Sequence, residues 1–163
     1  MASVINESDM VFIADNAFHI EKSPEYTNLG NGVKSVEFVR VMNNNLLFIE
    51  ARKTFPNPYS SKENRERFKS QLSDICDKFV HSLNLFAAIK VGVTGYPTQR
   101  DFSLPERVSL FFVLVIKNHE PSWCKKIEPT LRAALPRHLM KIWRPKIYVV
   151  NQATAGKRGL TCG

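Results

Sequence analysis

The run Val108-Ser109-Leu110-Phe111-Phe112-Val113-Leu114-Val115-Ile116 constrains the fold of this chain more than any other stretch. It is apolar at nearly every position instead of at alternate ones. A strand with that pattern has no face for water, so it reads as a central strand covered by helices on both sides. The rest of the chain must supply its neighbours and its cover.

Two neighbours come from Val33–Val41 and Asn45–Arg52, joined by Met42-Asn43-Asn44, a connection that tolerates positive φ. A third is Lys146-Ile147-Tyr148-Val149-Val150, after Pro145. The cover is helical. Phe68, Leu72, Ile75, Phe79 and Leu83 recur at helical spacing behind Ser60-Ser61-Lys62-Glu63, which has the form of a capping box with Ser60 as cap. That predicts a helix from Ser61 to about Leu83. Trp123, Ile127, Leu131, Leu135, Leu139 and Ile142 predict a second, split or kinked at Pro129 or Pro136.

Weaker signals complete the map. Ile89–Thr94 reads as a short strand and Gly95–Pro105 as a loop. Met10–Ile13 and Phe18–Ile20 fit short strands or parts of a helix leading to Ser23-Pro24-Glu25, where Ser23 can cap and Pro24 start a turn. The order predicts an α/β (α+β) fold, a mixed central β-sheet flanked by helices, in one domain over 1–163. There is no GxGxxG and no GxxxxGK[ST], so a nucleotide-binding doubly wound fold is not expected.

Composition bears on partners. The first 116 residues carry 13 basic and 13 acidic side chains, while residues 117–163 carry ten basic residues against Glu120 and Glu128. The whole net charge of +8 therefore sits in the C-terminal third, a field that attracts a polyanion. Lys125, Lys126, Arg132, Arg137 and Lys141 fall largely off the apolar stripe and are candidate nucleic-acid contacts. Cys76, Cys124 and Cys162 are odd in number and form no CxxC pair, which disfavours a zinc ribbon or disulfide framework. The start of the chain has no basic segment leading into an apolar one, no run is long enough to span a bilayer, and a reducing cytoplasm is the expected address. The dispersed histidines read as core or surface residues, Tyr59 and Tyr148 as packing residues, and Trp123 and Trp143 as core.

The chemistry lies in the hairpin. Ser35, Glu37 and Val39 share one face of the first strand, and Phe48, Glu50 and Arg52 one face of the second. If the register sets Glu37 beside Glu50, two carboxylates repel unless a cation bridges them, and carboxylate oxygens suit a hard divalent ion. A nearby cation could then position an attacking water or offset charge on a phosphorane. The plain alternative is a solvated hairpin whose glutamates pair with Lys34, Arg40, Arg52 or Lys53.

An acidic residue, a hairpin return and an acidic-x-basic triplet, followed by a helix and a central strand, resemble the PD-(D/E)xK, or restriction-endonuclease-like, nuclease superfamily. The resemblance covers roughly residues 15–90. It implies Glu37 and Glu50 as metal ligands with Mg²⁺ or Mn²⁺, and Glu21 as the acidic residue some members contribute ahead of the core. Arg52 stands where the family carries its lysine, and that exchange is not conservative. Lys53, or Lys69 from the following helix, could supply the ammonium instead. The implied activity is metal-dependent hydrolysis of phosphodiesters in DNA or RNA. The alternative is a non-catalytic nucleic-acid-binding or assembly subunit.

Overall fold

A computed structural model describes residues 3–93 and 102–163. From the N-terminus, β1 (Val4–Glu7) and β2 (Met10–Ile13) form a separate antiparallel hairpin. Strand β3 (Ala17–Phe18) leads through a 3₁₀ turn at Ile20–Lys22 into α1 (Pro24–Thr27), where the Ser23 side chain caps the helix from the Tyr26 N–H. Then follow β4 (Phe38–Met42), β5 (Asn45–Arg52), α2 (Lys62–Val91), β6 (Ser109–Ile116), α3 (Pro121–Ala134), α4 (Arg137–Trp143), β7 (Lys146–Asn151) and α5 (Gln152–Lys157).

Strands β3 to β7 form one mixed sheet in chain order. β3, β4 and β5 pair antiparallel, and β5, β6 and β7 pair parallel. The expected central strand does lie inside the sheet, and Leu110 through Ile116 are all buried. Its cover differs from expectation. Helices α2, α3 and α4 pack on one face, where Phe79 stacks on Phe112 with centroids 4.6 Å apart. The other face is closed by Met10 and Phe12 of the β1–β2 hairpin together with Ala155 and Leu160, so among the described residues only the short α5 is helical there.

Four sequence boundaries move, each for a visible reason. The strand expected from Val33 begins at Phe38, because the Lys34 N–H donates to His81 Nδ1 (2.9 Å) and the Val36 N–H to Ser82 Oγ (2.8 Å). Those backbone donors face α2, not a strand. The helix expected to stop near Leu83 runs on to Val91, since Leu85, Phe86 and Ile89 continue the buried stripe. The short strand expected from Ile89 is thus the end of α2, closed by Gly92 at φ 86, a left-handed conformation that glycine adopts freely. Thr94 and the first part of the expected Gly95–Pro105 loop lie outside the described residues. The cap of α2 is Ser61, not Ser60, with its side chain accepting from the Asn64 N–H at 3.0 Å.

The split in the C-terminal helix falls at Pro136. Leu135, just before it, is extended (ψ 148), as the clash with a proline ring demands. Pro129 is tolerated inside α3. No helix among the described residues is long and apolar enough to cross a membrane.

Candidate functional site

The β4–β5 ladder pairs Phe38 with Ile49, and the register continued by one residue sets Glu37 across from Glu50. The Glu37 N–H still donates to the Ile49 carbonyl at 3.1 Å. Both carboxylates lie on the α2 side of the sheet, the side on which Val39 and Phe48 pack. Neither is solvated: Glu50 is 1% exposed and Glu37 8%. The open, wet hairpin that would make these glutamates ordinary surface charges is not what forms.

Cations reach Glu50 from two elements. Lys78, in the middle of α2, donates from Nζ to Glu50 Oε1 at 2.8 Å. Arg52 brings Nε to 3.2 Å of the same oxygen, while its Nη2 donates to Asp74 Oδ2 at 2.7 Å. Lys34 joins Asp74 (3.1 Å) and Asp77 (3.0 Å), so the cationic edge of the hairpin is tied to an acidic row on α2. Glu50 Oε2, in contrast, is buried without a hydrogen-bond partner among the described residues. Burial pushes the Glu50 carboxyl above its ordinary range against the pull of Lys78 and Arg52. Burial also pulls Lys78 down, yet the charge and hydrogen bond of Glu50 outweigh it and hold the ammonium above its ordinary value.

On the other side, β3 pairs with β4 and sets the 3₁₀ turn carrying Glu21 next to Glu37. Glu37 is pushed up to about 9, chiefly by burial, then by a hydrogen bond with Glu21 and by the charges of Glu50, Glu21 and Glu7. A bond between two carboxyl groups requires a proton on one of them, and at neutral pH Glu37 carries it. Glu7, at the end of β1, and His19 complete the group, with His19 Nε2 3.4 Å from Glu7 Oε1. One ligand atom each from Glu7, His19 and Glu21 lie within 4.8 Å of one another, a spacing that suits a shared metal ion. Burial, then Lys22, lowers the His19 pKa despite Glu7 and Glu21, so its imidazole is neutral and able to ligate.

Of the residues singled out from sequence, Glu21, Glu37, Glu50 and Arg52 come together here. Lys53 does not: it pairs with Asp9 of the β1–β2 hairpin at 2.7 Å. Lys69 is exposed on α2, and the ammonium delivered to the carboxylates is that of Lys78. Lys125, Lys126, Arg132, Arg137 and Lys141 are all exposed on α3 and α4. Lys78 had a signal in the sequence, since it follows Asp74 by four residues and so shares a helix flank with it. Glu7 and His19 had none, because only strand pairing brings them to the site. No protein-family model matches the chain, and neither curated proteins nor solved structures give a significant match.

Proposed function

We propose that the protein is a divalent-metal-dependent nuclease of restriction-endonuclease-like architecture, acting on phosphodiesters of DNA or RNA. The observation that carries this reading is a buried pair of facing carboxylates, Glu37 and Glu50, one with an unpartnered oxygen, beside Glu21 and an inserted lysine. In the metal-free protein Glu37 is neutralised by a proton and Glu50 by Lys78 and Arg52, which leaves Glu50 Oε2 unsatisfied. A cation that displaces the Glu37 proton would satisfy it.

The donor set suits Mg²⁺ or Mn²⁺: Glu7, His19 and Glu21 bring ligand atoms within 4.8 Å of one another, and Glu37, hydrogen-bonded to Glu21 and facing Glu50, adjoins them with further hard oxygens. The His19 imidazole favours Mn²⁺ of the two, since Mg²⁺ takes oxygen almost exclusively. When bound, such an ion polarises a phosphoryl oxygen and lowers the pKa of water. Lys78, kept charged by Glu50, is the α2 lysine that reaches the carboxylates and would take the part the resemblance gives to a lysine relocated to the helix. Its ammonium can orient the attacking water or offset charge on the phosphorane as the P–O ester bond breaks. Arg52, tied to Asp74, holds Glu50 and α2 in register. The exposed lysines and arginines of α3 and α4 supply phosphate contacts for the strand.

The test is cleavage of mixed DNA and RNA substrates with Mg²⁺ or Mn²⁺, comparing wild type with Glu50→Gln and Lys78→Met. Metal-dependent cleavage in wild type, reduced by about a hundredfold or more in each variant, supports the reading. Binding without cleavage under every metal condition overturns it in favour of a non-catalytic binding subunit.

A further inference from the structure

A second site lies on the other flank of α2. A cavity of about 610 Å³ opens between the β5–α2 connection, the first half of α2, and α3 with the segment before it. Its volume falls in the range of small-molecule sites, roughly 300–1,000 Å³. Nine residues separate Lys69, which lines it, from Lys78 at the carboxylates. That is about two and a half helical turns, so the two side chains leave α2 on opposite sides, about 13 Å apart along its axis.

The lining has a specific chemistry. Phe68, Leu72 and Ile127 form an apolar floor, with Phe68 fixed edge-on by Phe55 at 5.4 Å. Two large aromatic rings that sequence reasoning assigned to packing line it while facing water: Tyr59 is 82% exposed and Trp123 41%. His119 braces Trp123 edge-to-face at 5.5 Å. Arg65 and Lys69, one turn apart on α2, and Lys126 on α3 bring three positive charges, and the lining contains no acidic residue. Among the described residues these three cations form no ion pair. Exposed flat rings beside free cations over an apolar floor match a ligand that is a flat heterocycle at one end and a phosphate at the other.

We propose that this cavity binds a nucleobase with its attached phosphate, the base stacked on Trp123 and Tyr59 and the phosphate held by Arg65, Lys69 and Lys126. Stacking is indifferent to base identity because every base has a π-face, and Arg adds a cation–π contribution. A free nucleotide and an unpaired residue of a single strand present the same unit. The site goes beyond the nuclease reading and stands whether or not the carboxylates support cleavage.

The experiment is equilibrium binding in metal-free buffer, by calorimetry with AMP, adenosine and inorganic phosphate, and by anisotropy with labelled poly(dA) and poly(U) of about ten nucleotides. Binding of AMP, or binding of the oligomers alone that Tyr59→Ala and Trp123→Ala weaken, supports the site and distinguishes free nucleotide from strand. Oligomer binding that neither variant weakens belongs to the basic surface of α3 and α4 and overturns it. Tyr59→Ala and Trp123→Ala should each weaken it about tenfold, and Lys69→Ser with Lys126→Ser should weaken it and reduce its salt dependence. Trp143→Ala, outside the cavity lining, should bind like wild type. Glu50→Gln should too, even if it abolishes cleavage, which separates this site from the carboxylates. Tyr59 is too exposed for its loss to unfold the chain, so unchanged binding in Tyr59→Ala overturns the proposal. So does inorganic phosphate binding as well as AMP, or no binding of any probe at about 1 mM.

Discussion

At the scale of single residues, the protein concentrates its cost in Glu37. Folding raises the carboxyl from its ordinary 4.5 to about 9, so between those values the folded chain holds a proton that the unfolded chain has released. Stability of the metal-free protein therefore falls as pH rises through that window. Glu37→Gln removes the titration. It should leave stability near pH 4 unchanged and raise it by about 1–3 kcal/mol near pH 8, seen in urea unfolding at the two pH values. If the variant and wild type keep the same gap at both pH values, Glu37 is not the buried acid described here. Arg52 offers a second residue-level check. Because its guanidinium is committed to Asp74 and Glu50, the proposed nuclease reading expects Arg52→Lys to keep metal-dependent cleavage and Lys78→Met to lose it.

At the scale of elements, α2 connects the core to the site. One side of the helix inserts Ile75, Phe79 and Leu83 into the sheet, and the flank beside it carries Asp74 and Lys78 to the hairpin. Helix placement and site geometry are therefore coupled. Phe79→Ala removes a ring stacked on Phe112 and should cost about 3–5 kcal/mol by cavity formation, measured by chemical denaturation. The hydrogen bonds from the backbone of Lys34 and Val36 to His81 and Ser82 tie the same helix to the segment just before Glu37. Ser82→Ala leaves the buried Val36 N–H unpaired and should cost about 1–3 kcal/mol. A change below about 0.3 kcal/mol would show that this segment is not held by α2.

At the scale of the whole molecule, charge is segregated. Carboxylates gather where β1, β3, β4 and β5 meet, and the excess of positive charge follows α3 and α4 to the C-terminus. Polyanion binding should weaken steeply with salt, and the combined change of Lys125, Lys126, Arg132 and Lys141 to Ser should flatten that slope. The carboxylate cluster yields a prediction free of any activity. Mn²⁺ binding to the folded state alone should raise the melting temperature, by mass action, and Glu37→Gln with Glu50→Gln should abolish that rise. A melting temperature indifferent to Mn²⁺ in wild type would remove the metal site.

The sequence alone determined a buried strand within Val108–Ile116, the β4–β5 hairpin, the apolar stripe of α2 and a break in the C-terminal helix, which the structure sets at Pro136 and not at Pro129. Each depends on short-range periodicity or on the local sterics of proline. It put Glu37 and Glu50 on defined faces of their own strands by alternation, and the observed register then set them side by side. Tertiary structure decided the rest. Which lysine meets Glu50 depends on the rotation of α2 against the sheet, and a helix offers Lys69 and Lys78 in opposite directions. Glu7 and His19 reach the carboxylates only through the fold-back of β1 and the pairing of β3 with β4. The exposure of Tyr59 and Trp123 depends on how far apart α2 and α3 stand, a distance set by side chains distant in sequence and invisible to any local pattern.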